Sequence, residues 1–423
     1  MGLCIAMLAS LTPAFSQLEE QVSVDIMEIW VKVTDQNNKI VTNLGPNDFH
    51  IFIDGKQMDL RCFDTTFAST TPAASSASAT QEMSSDEKLK HKYIFYFDLL
   101  NSGARQMDYL SKSIAQFLQT SFDQDNDEGM VFVLLPSMHL GVVQQMTNNK
   151  EALISIVNKM RGNPTLEAKL RNNEKELLDV LYQFGSNAGT VQASEGTERG
   201  AASRSPETIQ QARALAITLA SQEEALSKLT LNSFLSIADH LEGNHFEGRV
   251  VMIWASGGFS MRPGQVYFDI LDEAVHARSI TGTEDLAFSH YPDNDIYNEV
   301  TRAIGLLNRL NVTIYSVDAN GLIGYDKTAD RSARQAQLGA DTLDYNKEMQ
   351  DSLVKIAYET GGTAIINTQN FQPALDAISQ DMNQQYWLCS NVPPPTKKGT
   401  YHKIQVKVTD PGLKVRYRQG YVE

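Results

Sequence analysis

"KYIFYFDLLNSG" (residues 92–103) decides the fold. After Lys92 come five residues, Tyr93 to Phe97, in an unbroken aromatic and aliphatic run without the polar alternation of a half-exposed strand. Such a run fits a strand covered on both faces, as in a parallel sheet sandwiched by helices. The run ends at Asp98 and turns. Beyond it, Met107, Leu110, Ile114, Phe117 and Leu118 recur at helical spacing.

The same rhythm continues downstream. "GMVFVLLP" (129–136) is a second buried strand, with "HLGVVQQM" (139–146) pairing beside it and "NKEALISIVNKM" (149–160) a helix. "RVVMIWAS" (249–256), "NVTIYSVD" (311–318) and "GTAIIN" (362–367) are three more strands. "VTRAIGLLNRLN" (300–311) and "MQDSLVKIAYETGG" (349–362) are helices ahead of the last two, and "FQPALDAISQDMNQQ" (371–385) closes the set. Strand–helix alternation of this kind predicts an α/β domain over 91–385, a doubly wound, mostly parallel sheet. Residues 166–243 interrupt it with two helical stretches and a polar connector, read as a helical hairpin inserted over one end of the sheet. Ser205 and Pro206 are the N-cap and first turn of its second helix.

The two ends of the chain are β. "VSVDIMEIWVKVTD" (22–35) alternates, and Asp54-Gly55 in "FHIFIDGKQMDLRCF" (49–63) is a hairpin signal. After residue 385, "YHKIQVKVTD" (401–410) and "LKVRYRQGYV" (413–422) alternate again. Neither piece, 17–64 or 386–423, is long enough to bury a core alone. Domain termini lie at the surface, often close together. The two segments are therefore expected to pair into one β-sandwich with the α/β domain inserted between its halves. Cys62 and Cys389 would then face each other as a candidate disulfide, the alternative being two separate buried thiols. A Ser/Ala/Thr-rich stretch, 65–90, reads as a linker.

The start is of another kind. "GLCIAMLASLTPAFSQ" (2–17) is apolar and uncharged and ends in a small-x-small pattern. Residues 1–16 thus read as a secretory signal, truncated at its basic end, and imply a secreted, periplasmic or envelope location. The net charge of −15, from 36 basic and 51 acidic residues, argues against nucleic-acid partners and against docking on anionic lipid. After signal removal no run approaches the roughly 20 apolar residues of a membrane span.

Taken in order, "VTDQNNKIVTNLGPNDFHIFIDGKQ", "FYFDLLNS", "GRVVMIWASGGFS", "NVTIYSVDANGL", "AYETGGTAIINTQNF" and the ending "YHKIQVKVTDPGLKVRYRQGYVE" resemble the von Willebrand factor A-related proteins abundant in acidobacteria. That resemblance implies a doubly wound A-domain with flanking β segments. A-domains in general are extracellular binding modules, often adhesive, so the resemblance implies a protein-binding role. The alternative is a structural or assembly component of the cell envelope without a specific ligand.

In metal-binding A-domains the first strand supplies Asp-x-Ser-x-Ser, a later loop supplies a threonine, and an aspartate follows the fourth strand. Carried over, Asp98 and Ser102 match and Thr165 is the candidate threonine. Leu100 stands at the first serine and Ser256 at the later aspartate. One hydroxyl and one charge are missing, which is severe for Mg²⁺, an ion that demands six oxygens. The expectation is a degenerate metal site, vestigial at Asp98, Ser102 and Thr165, with no bound cofactor and a protein partner. Asp318, two strands away, reads as a cap on the turn "DANGL". No catalytic constellation stands out: "ASGGFS" puts Ser256 ahead of the glycines, "GTERGAAS" lacks a phosphate-loop ending, and His240 and His245 lack metal-ligand spacing. The chain is not expected to be an enzyme.

Overall fold

The structure, a computed structural model, describes residues 26–67, 91–165, 206–244, 246, 248–276, 296–321, 343–393 and 397–423. The signal reading (1–16), most of the linker (68–90) and the first half of the expected hairpin (166–205) lie outside the described residues.

The central sheet contains β5 (His91–Asp98), β6 (Asp127–Leu134), β7 (Leu140–Thr147), β8 (Val250–Ser256), β9 (Val312–Asp318) and β10 (Ala364–Ile365). Its order is β7-β6-β5-β8-β9-β10, with only β7 antiparallel. Numbered along the chain, that is the 3-2-1-4-5-6 order of a doubly wound fold. Residues of β5 alternate between two cores, as a doubly covered strand must. Tyr93, Phe95 and Phe97 face a layer of helices α1 (Ala104–Ser121), α2 (Lys150–Val157) and, later in the chain, residues 372–382. Ile94 and Tyr96 face the opposite layer.

That second layer contains α3 (Pro206–Gly243), α5 (Ile296–Arg309) and α6 (Leu343–Glu359). Between them in sequence runs α4 (Gln265–His276), and α7 (Gln372–Met382) completes the first layer. In the described half of the expected hairpin, Leu231, Phe234, Ile237, Ala238 and Leu241 lie buried along the sheet face. At 38 residues, a helix of about 57 Å outruns the sheet. Its earlier turns, through Ala212, Ala216, Leu219 and Ala220, pack on Tyr267, Phe268 and Leu271 of α4.

The strand expected over 362–367 is only two residues long. Gly362 comes so close to the Ile314 carbonyl that any Cβ would collide with it, and the ladder closes over Ala364 and Ile365 alone.

The chain ends form two antiparallel sheets. One has the order β13-β1-β11-β4, built from β1 (Ile26–Thr34), β4 (Leu60–Thr65), β11 (Tyr386–Asn391) and β13 (Lys414–Arg416). The other is β14-β12-β2-β3, from β2 (Phe49–Ile53), β3 (Lys56–Met58), β12 (Tyr401–Val408) and β14 (Gly420–Val422). Each mixes strands from both ends: β1 and β4 flank β11, and β2 pairs with β12. One core is drawn from both sheets, including Ile29, Val31, Phe49, Ile51, Leu388 and Ile404. The linker begins later than its composition suggests. Thr65 still belongs to β4, and the Phe67 ring packs edge-on against Tyr386.

Cys62 and Cys389 are direct partners across β4 and β11 and are joined by a disulfide, with Cα atoms 4.8 Å apart. They lie on the outer face of their sheet beside Trp30 and Trp387. Strand β1 uses both its faces. Odd residues from Met27 to Val33 fill the sandwich core, while Glu28, Trp30 and Lys32 meet the α/β unit at Asn311, Arg249 and Asp381.

Candidate functional site

In an open α/β sheet, ligands bind outside the carboxyl ends of the strands where the strand order reverses. Here that switch point lies between β5 and β8. Asp98 ends β5 and Ser256 ends β8, and both are fully buried. The sequence-predicted pair Asp98 and Ser102 is therefore brought to the expected edge, with Ser256 beside it.

The cluster is closed on itself. Asp98 accepts from the Asn101 backbone N–H (3.1 Å), the Asn101 side-chain amide (2.8 Å) and the Ser256 hydroxyl (2.8 Å). Ser102 donates to the Asp98 carbonyl (2.6 Å) and accepts from Gly257 N–H (3.1 Å). Ser256 also accepts from Gly258 N–H (3.0 Å). Gly257 is the residue that lets the two loops touch, since a Cβ there would strike the Asn101 carbonyl. From above, α3 seals the edge: the Asn101 amide donates to Thr230 Oγ1 at 2.7 Å. Leu100 is buried in the apolar cluster beneath α3.

Thr165 does not join this cluster. It is exposed, and its hydroxyl donates to Asn163 at 2.8 Å. The loop it belongs to does reach the site, through Asn163 N–H to the Ser102 carbonyl (2.7 Å). Asp318 sits across from Ser256 in the β8–β9 register. It accepts from Asn320 N–H (2.9 Å) and from the Gln350 amide (2.7 Å), as a turn cap does. Among the described residues no group of three or more His, Cys, Asp or Glu side chains is arranged to hold a metal ion.

Burial dominates the electrostatics. It raises the Asp98 carboxyl to about 6, against the opposing pull of the Asn101 and Ser256 hydrogen bonds. Asp318 is also raised to about 6 by burial, opposed by Gln350 and Asn320. A cation in the site would push Asp98 the other way. The residues present thus form a closed hydrogen-bonded plug around one buried carboxylate. The sequence reading missed Asn101 and Thr230, which do most of the sealing. Asn101, three residues past Asp98 and ahead of a glycine turn, was the available signal; Thr230, remote in the chain, had none.

No family model and no curated protein matches the chain. Among solved structures it is similar to an aerotolerance-related membrane protein from Bacteroides fragilis, at 10% identity over 69% of this chain and 98% of that one, with a TM-score of 0.30. A conserved hypothetical protein, BatB from Bacteroides thetaiotaomicron, is 10% identical over 69% and 97% of the two chains, with a TM-score of 0.29. The PilB minor pilin of Streptococcus sanguinis is 10% identical over 88% and 90%, with a TM-score of 0.31. Likeness this slight assigns no family. Among the described residues no helix is long and apolar enough to cross a membrane.

Proposed function

We propose that this chain is an exported, non-enzymatic module of the cell envelope, related to von Willebrand factor A domains, that works through its protein surface without a metal ion. One observation carries the reading. The switch-point edge, where such a sheet would bind a ligand, is filled by Asp98, Asn101, Ser102 and Ser256 bonding to one another. The apolar leader-like start and the Cys62–Cys389 bridge support an oxidising compartment.

Within that reading two roles compete. An adhesion module would present the sheet edge to a partner carboxylate that completes a metal shell. A structural component would use the α/β unit as a scaffold. The Thr230–Asn101 contact favours the second, because it ties the closed edge to α3. Envelope extracts passed over the immobilised mature chain, with Mg²⁺ and then with chelator, separate the two. Capture of the same defined partner in both conditions supports a metal-independent binding surface, and capture of none in either supports the scaffold role. Capture that requires Mg²⁺ and is lost in Asp98→Ala supports adhesion and ends the closed-site reading.

A further inference from the structure

The outer side of an edge strand carries backbone donors and acceptors open to another strand, and proteins blunt such edges with short strands, charges or bulges. Among the described residues, five of the six sheet edges are blunted by length or charge. β3, β13 and β14 are three residues long and β10 is two. β4, at six residues, carries Arg61 and Asp64. β7, the other edge of the central sheet, differs. It runs for eight residues, LGVVQQMT, with no charge and no proline, and no described strand pairs with its outer side.

The opening is local. Leu140, Gly141 and Val142 stand opposite Leu134, Val133 and Phe132 in unbroken register, and Leu135 N–H extends the ladder to the His139 carbonyl (2.9 Å). Past Val142 the register slips twice, which bends and twists a strand away from its plane. There the Gln144 amide also donates to the Gln145 carbonyl (3.0 Å). Only the regular part, 139–142, is left unprotected. Beside it Leu135, Met138 and Val143 are 41%, 55% and 46% exposed, so apolar side chains frame the open backbone.

Gly141, inside this stretch, has no cause within the chain. Its φ lies outside the left-handed region, and a Cβ there would meet nothing within 4 Å. Gly129 on β6 is different, since a Cβ there would strike the Leu153 side chain. A glycine in a strand interior weakens the strand and marks a close approach by a ligand or another backbone.

We propose that β7 is a homodimer edge, to which a second copy adds its own residues 139–142, antiparallel, about a two-fold axis at Gly141. An antiparallel edge is complementary to itself, so such a pairing is isologous and closes at two. Charge selects a copy over a foreign strand. The chain has 36 basic and 51 acidic residues, yet residues 129–149 hold no Asp, Glu, Lys or Arg. A basic partner would be steered by acidic side chains, which this edge lacks. Two acidic copies need a contact free of like charges facing each other, which this edge supplies. In that register Leu140 of one copy faces Val142 of the other, and both already pack against the core of the second helical layer. Glycine meets glycine at the axis, with no side chain to hold the strands apart.

The experiment is sedimentation velocity of the full chain over a concentration series. One short strand pair with a few side chains makes a small interface, and small interfaces are weak. A dimer half-formed at roughly 100 μM is expected. Hydrogen exchange compared at high and low concentration should slow in the amides of 139–142. Gly141→Lys sets two ammonium groups at the axis. Because a Cβ there meets nothing in the chain's own fold, the dilute variant should keep the wild-type unfolding midpoint. Val143→Lys adds a charge at a position already exposed. Each substitution should weaken association about tenfold or more. A wild-type chain that stays monomeric throughout the series would overturn the proposal. A dimer that both substitutions leave unchanged would overturn it equally, by placing the contact elsewhere.

Discussion

Asp98→Asn should make the protein more stable at neutral pH, and the size of the gain should depend on pH in a predictable way. The unfolded carboxyl titrates near 3.8 and the folded one at about 6. The folded state therefore binds this proton more tightly, so stability from Asp98 rises as pH falls through 6 and levels off below about 4. At pH 8 ionised Asp98 costs the full difference of roughly two pH units, about 3 kcal/mol. At pH 4.5 the same linkage leaves a cost of about 1 kcal/mol. The new amide can keep its oxygen toward Asn101 N–H, with Ser256 Oγ accepting from its NH₂ and the Asn101 amide turned over. Whatever that rearrangement costs is the same at both pH values. The variant minus wild-type difference should thus be larger at pH 8 than at pH 4.5 by about 2 kcal/mol. Urea unfolding followed by the fluorescence of Trp254, buried against Phe234 in the second helical layer, measures it. Asp318 and Glu348 are raised in the same direction, and comparing the two proteins at each pH cancels them. A difference independent of pH would refute the closed, uncompensated carboxylate.

Titration calorimetry with Mg²⁺ or Mn²⁺ should show nothing tighter than millimolar, about 4 kcal/mol of binding; micromolar affinity in the isolated chain would sink the degenerate-site reading. Reducing the Cys62–Cys389 bridge, or replacing both cysteines by serine, should lower stability by an amount on the order of 5 kcal/mol at most on the chain-entropy account, read as a fall in the unfolding midpoint on adding reductant. Asp381→Ala should cost about 3–5 kcal/mol, because it leaves Lys32 and Arg416 facing each other without their carboxylate; a loss under 1 kcal/mol would show that the seam between the sandwich and the α/β unit is open to water. Phe234→Ala, beneath Trp254 and Tyr96, should cost roughly 3–5 kcal/mol in the same fluorescence assay.

Much of the fold was legible because it rests on short-range pattern. The unbroken run of β5 and the helical stripe from Met107 to Leu118 are each buried as their periodicity requires. What escaped depends on which surfaces meet. The alternation in β1 reads as one buried and one wet face, yet Glu28, Trp30 and Lys32 are seam residues. Helix α3 reads as the second helix of a hairpin, but nothing in its sequence says that its later turns lie along the sheet face and its earlier ones along α4. At the switch point, the sequence placed Asp98 and Ser256 at the ends of their strands but did not announce that the Ser256 hydroxyl donates to the Asp98 carboxylate.

The bridge between Cys62 and Cys389 also fixes how the chain carries a mechanical load. It joins the strand that enters the α/β unit to the strand that leaves it, 327 residues apart in sequence. Tension applied between the two ends would run along β1 to β4, across the sulfurs and out through β11 to β14. The α/β unit would hang on that path without being stretched. Roughly 1,100 Å of contour would stay hidden from the pulling force and be released only in reductant, a length step that single-molecule extension can read directly.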